Sequence, residues 1–234
     1  SFQIDPQGGE PEFASKVEQA IWASALLMAG TGRKGKKPRL DFFLMHLVTS
    51  SIFLKPMIDV ITNPVHKANL LRSFLSVIIL VVLARGRPRI EPELLMTYTA
   101  TPRPPASALK ASRSAVGSPT NDEDYNPWPA ILADVIYHPD PHVIKTIRSL
   151  AYAAREYGAT PAGEAIGAFI SGKEGVESHK GMAVVDGTIF VRAAGMVMDY
   201  MGWVANGQEA RPDWDRSALG WDDAWADEQE AKLW

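Results

Sequence analysis

The stretch from Leu40 to Leu54, LDFFLMHLVTSSIFL, constrains the fold more than any other part of the chain. Phe42, Phe43, Leu44, Met45, Leu47, Val48, Ile52, Phe53 and Leu54 cover nearly the whole circumference of a helix, a pattern that predicts burial on every side and hence a core helix. A histidine, His46, sits among them. A polar ring in such a place has two readings: a satisfied core group bonded to a backbone carbonyl, or a ligand or base in a cavity walled by apolar groups. Lys55-Pro56 is expected to end this helix, because proline disfavours helical geometry in the residue before it. Asn63-Pro64 then signals a second long helix to Ala84, with Asn63 as cap and Pro64 in the first turn. Its most apolar part, Phe74 to Ala84 (FLSVIILVVLA), is bracketed by Arg72 and Arg85. That run is shorter than the about 20 residues that cross a bilayer and predicts another core helix.

The rest of the chain reads as helices joined by turns. Phe13, Val17, Ala20, Ile21, Leu27 and Met28 recur at helical spacing from Pro11 to a stop at Gly30. Short helices are expected at Glu93 to Tyr98 and Trp128 to Tyr137. Asp140-Pro141 is a helix-start signal for Pro141 to Tyr157, which Gly158 closes. Further helices are expected over Pro161 to Ile170 and Thr188 to Val204. Residues 99–127 are rich in Pro, Ser, Thr and Ala, the composition of a mobile loop or linker. Regular strand alternation is missing, and Met182 to Val185 is only a short extended possibility. The expectation is an all-α, irregular multi-helix bundle forming one domain over 1–234, with a long Pro/Ser-rich loop.

Composition removes several functions. The formal net charge is -3 with both signs mixed along the chain, which gives no electrostatic footprint for nucleic acid. The absence of cysteine excludes disulfides, thiolate metal sites and cysteine nucleophiles and makes a cytoplasmic protein the default, and the shortness of the apolar run adds the expectation of no membrane partner. Gly30, Gly32 and Gly35 match G-x-G-x-x-G, but a helix precedes them and Pro38 closes the segment. The fingerprint needs a preceding strand and a helix starting within it. NADPH or flavin therefore has no motif here, and Arg33, Lys34, Lys36 and Lys37 read as a solvated loop.

In PHVIKTIRSL, His142 and Lys145 lie three residues apart on one helical face, with Ser149 a further turn along. His142 is within the first turn, where the dipole depresses its basicity and keeps a nitrogen lone pair available. A desolvated lysine can lose its proton, and the neutral amine can take up carbon dioxide to give a carboxylate-like ligand. By spacing alone the pair reads first as an ordinary helix start followed by a solvated lysine, ahead of the ligand reading.

The blocks LDFFLMHLVTSSIF, DPHVIKTIRSL and GWDDAWA resemble, in this order, the questin oxidase-like family of aromatic polyketide biosynthesis in filamentous fungi. The resemblance implies an oxygen-using enzyme that opens a ring of an anthraquinone-type substrate. It implies either a non-haem iron site rich in histidine and completed by a carboxylated lysine, or a flavin- or NADPH-dependent Baeyer-Villiger reaction. Carried over residue by residue, it makes His46, His142 and Lys145 the ligands of Fe(II). Phe42, Phe43, Phe53 and Trp128 are candidates to wall a flat aromatic substrate. The resemblance also reads the chain as the C-terminal half of a longer family fold. A truncated, non-catalytic ligand- or partner-binding remnant that self-associates is the competing expectation.

Overall fold

Apolar residues at helical spacing build α1 (Gly9–Ala29), which buries Phe13, Val17, Ile21, Trp22, Leu26 and Met28 and ends where the Gly30 N–H returns to the Leu26 carbonyl. The structure, a computed structural model, describes residues 3–105, 114, 125–173 and 175–226. Among the described residues it is all-helical, with only isolated bridges at Asp41–Asp215 and Phe169–Glu177 in place of strands. Of the expected 99–127 loop, residues 106–113 and 115–124 lie outside the described residues.

The expected helix over Leu40 to Leu54 is two helices, α2 (Phe42–Ser51) and α3 (Leu54–Val60). Thr49, Ser50 and Ser51 each turn a hydroxyl back to a carbonyl of the preceding turn, on His46 or Val48. Such bonds compete with helix propagation and favour a break. Pro56 starts no interruption, because it occupies the first turn of α3, where its missing N–H would have had no helical partner.

The prediction of Pro64 to Ala84 is met by α4 (Pro64–Ala84), with Asn63 accepting from the Val65 N–H. Its reading as a core helix is corrected. Only Lys67, Ala68, Leu71 and Ile78 are buried, while Leu80 is 67% and Leu83 54% exposed. The helix packs on α1 and α2 along one side, and no described element covers the other. Both α4 and the α2–α3 stretch Phe42–Val60 are, by length and composition, long and apolar enough to cross a membrane.

After α5 (Pro92–Met96) come α6 (Trp128–Val135), α7 (Pro141–Tyr157) and α8 (Ile189–Met201). A helix over Pro161 to Ile170 is absent. Gly163 and Gly167 there adopt positive φ, which a right-handed helix excludes, and the segment instead bonds to its neighbours through Gly163 N–H to Val185 O and Ser178 N–H to Ala168 O. Met182–Val184 is a 3-10 turn rather than extended.

The core is a ring of four helices: α1 packs on α2, α2 on α7, α7 on α8, and α8 on α1. Trp22 and Phe190 meet inside it with ring centroids 4.8 Å apart. Outside the ring, α4 flanks α1 and α2, and α6 flanks α7 and α8. The α2–α7 contact brings the two histidine-bearing blocks together.

Candidate functional site

Asp41, fully buried, fixes the start of α2. Its Oδ1 accepts from the Phe43 and Leu44 N–H groups, and its Oδ2 from Arg85 Nε at 2.8 Å. The Arg85 guanidinium lies 4.7 Å from the centre of the Phe43 ring. Asp140 does the same for α7, accepting from the His142 backbone N–H at 2.8 Å. With both starts fixed, Phe42 and His46 on α2 face His142 on α7. The His46 and His142 ring centroids are 5.2 Å apart, and Phe42 meets them edge-on at 4.5 Å and 5.2 Å. Arg216 covers Phe42, with its guanidinium carbon 4.0 Å from the ring centre.

The hydrogen bonds of the two rings define their tautomers. His46 Nδ1 lies 2.8 Å from the Phe42 carbonyl oxygen, and His142 Nδ1 lies 2.7 Å from Asp140 Oδ1. Both oxygens only accept, so each Nδ1 carries a proton, and the neutral form of either ring has its lone pair on Nε2. Trp214 Nε1 donates to the remaining Asp140 oxygen at 2.9 Å. Burial raises the Asp140 carboxyl, but the His142 backbone and ring and the Trp214 indole outweigh it and hold the group below the usual carboxylate value.

In front of His46 a groove of about 540 Å³ opens between α2, α4 and α7. Phe43, Leu47, Ile52, Phe53, Val77 and Val81 form its apolar walls, and His46, Lys145, Arg148 and Ser149 are among its polar groups. His46 is exposed on this groove rather than enclosed in the core. Lys145 shares the groove and is also exposed, while His142 is half-buried behind it. Trp128 stands apart, packed against the core from α6. His138 is the satisfied core histidine of this chain: buried, it donates from Nε2 to the Met201 carbonyl and accepts the Asp140 N–H at Nδ1.

The donor chemistry fits two nitrogen ligands of one metal. Imidazole–metal bonds of about 2.1 Å put the centroids of two rings sharing an ion roughly 5 Å apart, and an Nδ1–H held by a carboxylate or carbonyl is the usual support for such a ligand. Among the described residues no group of three His, Asp or Glu side chains could hold a metal ion. Lys145, the third ligand that the resemblance implies, lines the groove and is exposed there. Two features escape a reading by spacing: Asp140 as the acceptor that orients His142, and Arg148 on the groove. The signal for the first was present in D-P-H, since a capping carboxylate two residues before a histidine is within reach of both its N–H and its ring.

Comparison with known families finds that the model described as Questin oxidase-like matches residues 1–150, well over half of the 234-residue chain. The match includes the blocks around His46 and His142 and stops before GWDDAWA. No curated protein matches the chain.

Proposed function

Because the chain belongs to the questin oxidase-like family, an assignment that indicates an oxygenase, we propose that it opens a ring of an anthraquinone-type aromatic polyketide with dioxygen at a mononuclear non-haem iron site. His46 and His142 supply neutral nitrogen ligands through Nε2, and Lys145, carboxylated, supplies the anionic oxygen. The observation that carries this reading is the histidine pair, with rings 5.2 Å apart and both Nδ1 protons committed to oxygen acceptors. Imidazole with a carboxylate-type oxygen suits Fe(II), which when bound supplies the capacity to activate dioxygen.

The protein's own side chains do the positioning. Phe43 and Phe53 hold the flat face of the substrate, and Leu47, Val77 and Val81 exclude water from it. Arg148 orients a phenolate oxygen toward the histidine end of the groove. Asp140 keeps His142 in the tautomer that presents Nε2.

Iron content of protein purified from iron-supplemented cells tests the assignment. The expected result is about one iron per chain, lost on His46→Ala and on His142→Ala; unchanged iron in both variants overturns it. A flavin-dependent Baeyer-Villiger reaction predicts instead a flavin absorption spectrum in the purified protein. The exposure of Lys145 favours one further reading, a ligand-binding chain without turnover. That reading predicts iron-loaded protein that binds an anthraquinone and consumes no dioxygen.

A further inference from the structure

After α8 the chain turns back at Arg211, whose N–H reaches the Met201 carbonyl at 2.8 Å, and then crosses the starts of both histidine-bearing helices. Asp215 engages the start of α2 on either side of Asp41: its N–H donates to the Leu40 carbonyl at 3.0 Å, and its carbonyl accepts from the Phe42 N–H at 2.8 Å. Arg39 Nε donates to the Asp215 carboxylate at 2.7 Å and anchors the stretch. The residues on either side of Asp215 face the helices instead, as alternate residues of a bridged stretch do. Arg216 lies over the Phe42 ring. Trp214, 3% exposed, donates from Nε1 to Asp140 Oδ2 at 2.9 Å, 74 residues away in the chain.

The indole does something that the helix cap cannot. Capping needs one oxygen of Asp140, and the terminal torsion of an aspartate is broad and roughly two-fold, so a cap alone leaves the carboxylate plane free to turn. Oδ1 accepts from the His142 backbone N–H and from the ring, while Oδ2 accepts from the indole. A donor fixed on Oδ2 sets the plane of the carboxylate and thereby keeps Oδ1 on the ring. We propose that Trp214 is a positioning residue of the histidine pair: acting through Asp140, it holds the neutral His142 ring in the Nδ1–H tautomer that leaves Nε2 free. The consequence for metal binding rests on the iron-site reading above; the tautomer itself does not.

Long-range proton–nitrogen NMR of the metal-free full chain, at alkaline pH where imidazole is neutral, reads the His142 tautomer directly. The wild type should be predominantly Nδ1–H. Trp214→Phe, which keeps a buried aromatic ring and removes the donor, should shift the tautomer ratio roughly fivefold toward Nε2–H, the size of one net hydrogen bond. In an Asp140→Asn background the same substitution should add nothing, because the indole acts only through the carboxylate. Trp203 supplies the control for losing a buried indole: it is fully buried and donates to Asp199 at 2.8 Å, and Trp203→Phe should leave His142 unchanged. A wild type that is Nε2–H, a ratio unmoved by Trp214→Phe, an equal shift in Trp203→Phe, or a further shift on top of Asp140→Asn overturns the proposal. Chelator competition with iron(II) separates the two readings. A chain that shows the tautomer shift and binds no iron retains the role of Trp214 and overturns the iron site alone, whereas iron binding with no tautomer shift in Trp214→Phe overturns the role of Trp214 alone.

Discussion

Asp140 accepts three hydrogen bonds on two oxygens, from the His142 backbone, the His142 ring and Trp214. One side chain thus both starts α7 and aims the ring that the proposed site uses. Asp140→Asn keeps a capping oxygen but replaces the anionic partner of His142 Nδ1. Iron affinity, measured by chelator competition, is expected to fall by about 10–100-fold; unchanged affinity would remove Asp140 from the site. The carboxyl's lowered value in the folded state also sets a pH signature. Its contribution is present above the unfolded carboxylate value, about 3.9, and is lost as pH falls through the folded one. Thermal unfolding of the wild type and Asp140→Asn should therefore differ by a constant margin near neutrality and converge in acid below about pH 4. At this scale the sequence was half legible. It named Asp140 as a cap, and it offered a bonded core histidine as one reading of His46, a description that the structure fits to His138. The two rings share residue chemistry, and only the surrounding helices decide which of them faces a groove.

Elements were legible where local chemistry decides them. Asn63, Asp140 and Gly158 punctuate α4 and α7, because caps satisfy backbone groups within a turn of themselves. The break after Ser51 was missed because three hydroxyls returning to backbone carbonyls act together against an apolar pattern that runs straight through. The start of α2 depends on a partner far along the chain: Asp41 is held by Arg85, itself 12% exposed. Asp41→Ala removes both the cap and the counter-charge. It is expected to destabilise the fold by about 3 kcal/mol or more, read in chemical denaturation, and to loosen the approach of His46 to His142. Asp41→Asn, which retains capping capacity, should recover a measurable part of that loss. Equal loss in both variants would assign the whole effect to the charge pair.

Across the molecule, the largest departure from the sequence expectation is α4, whose outer face leaves Ile79, Leu80 and Leu83 half exposed or more. Contiguous apolar surface of this kind marks an interaction site, and self-association through α4 is the expected outcome. Sedimentation should show a concentration-dependent oligomer that Leu80→Glu with Leu83→Glu converts to monomer. A monomeric wild type that floats with liposomes would instead assign the face to a membrane surface. The sequence by itself determined that the chain is helical, where α4 and α7 begin and end, and which two blocks carry histidine, because helix periodicity and capping act over a few residues. Tertiary structure alone decided that the four-helix ring consists of α1, α2, α7 and α8, that α4 stays outside it, and that His46 opens onto a groove instead of the core. Burial is a property of what packs alongside, and an apolar pattern records the capacity to be buried without recording which neighbour will do it.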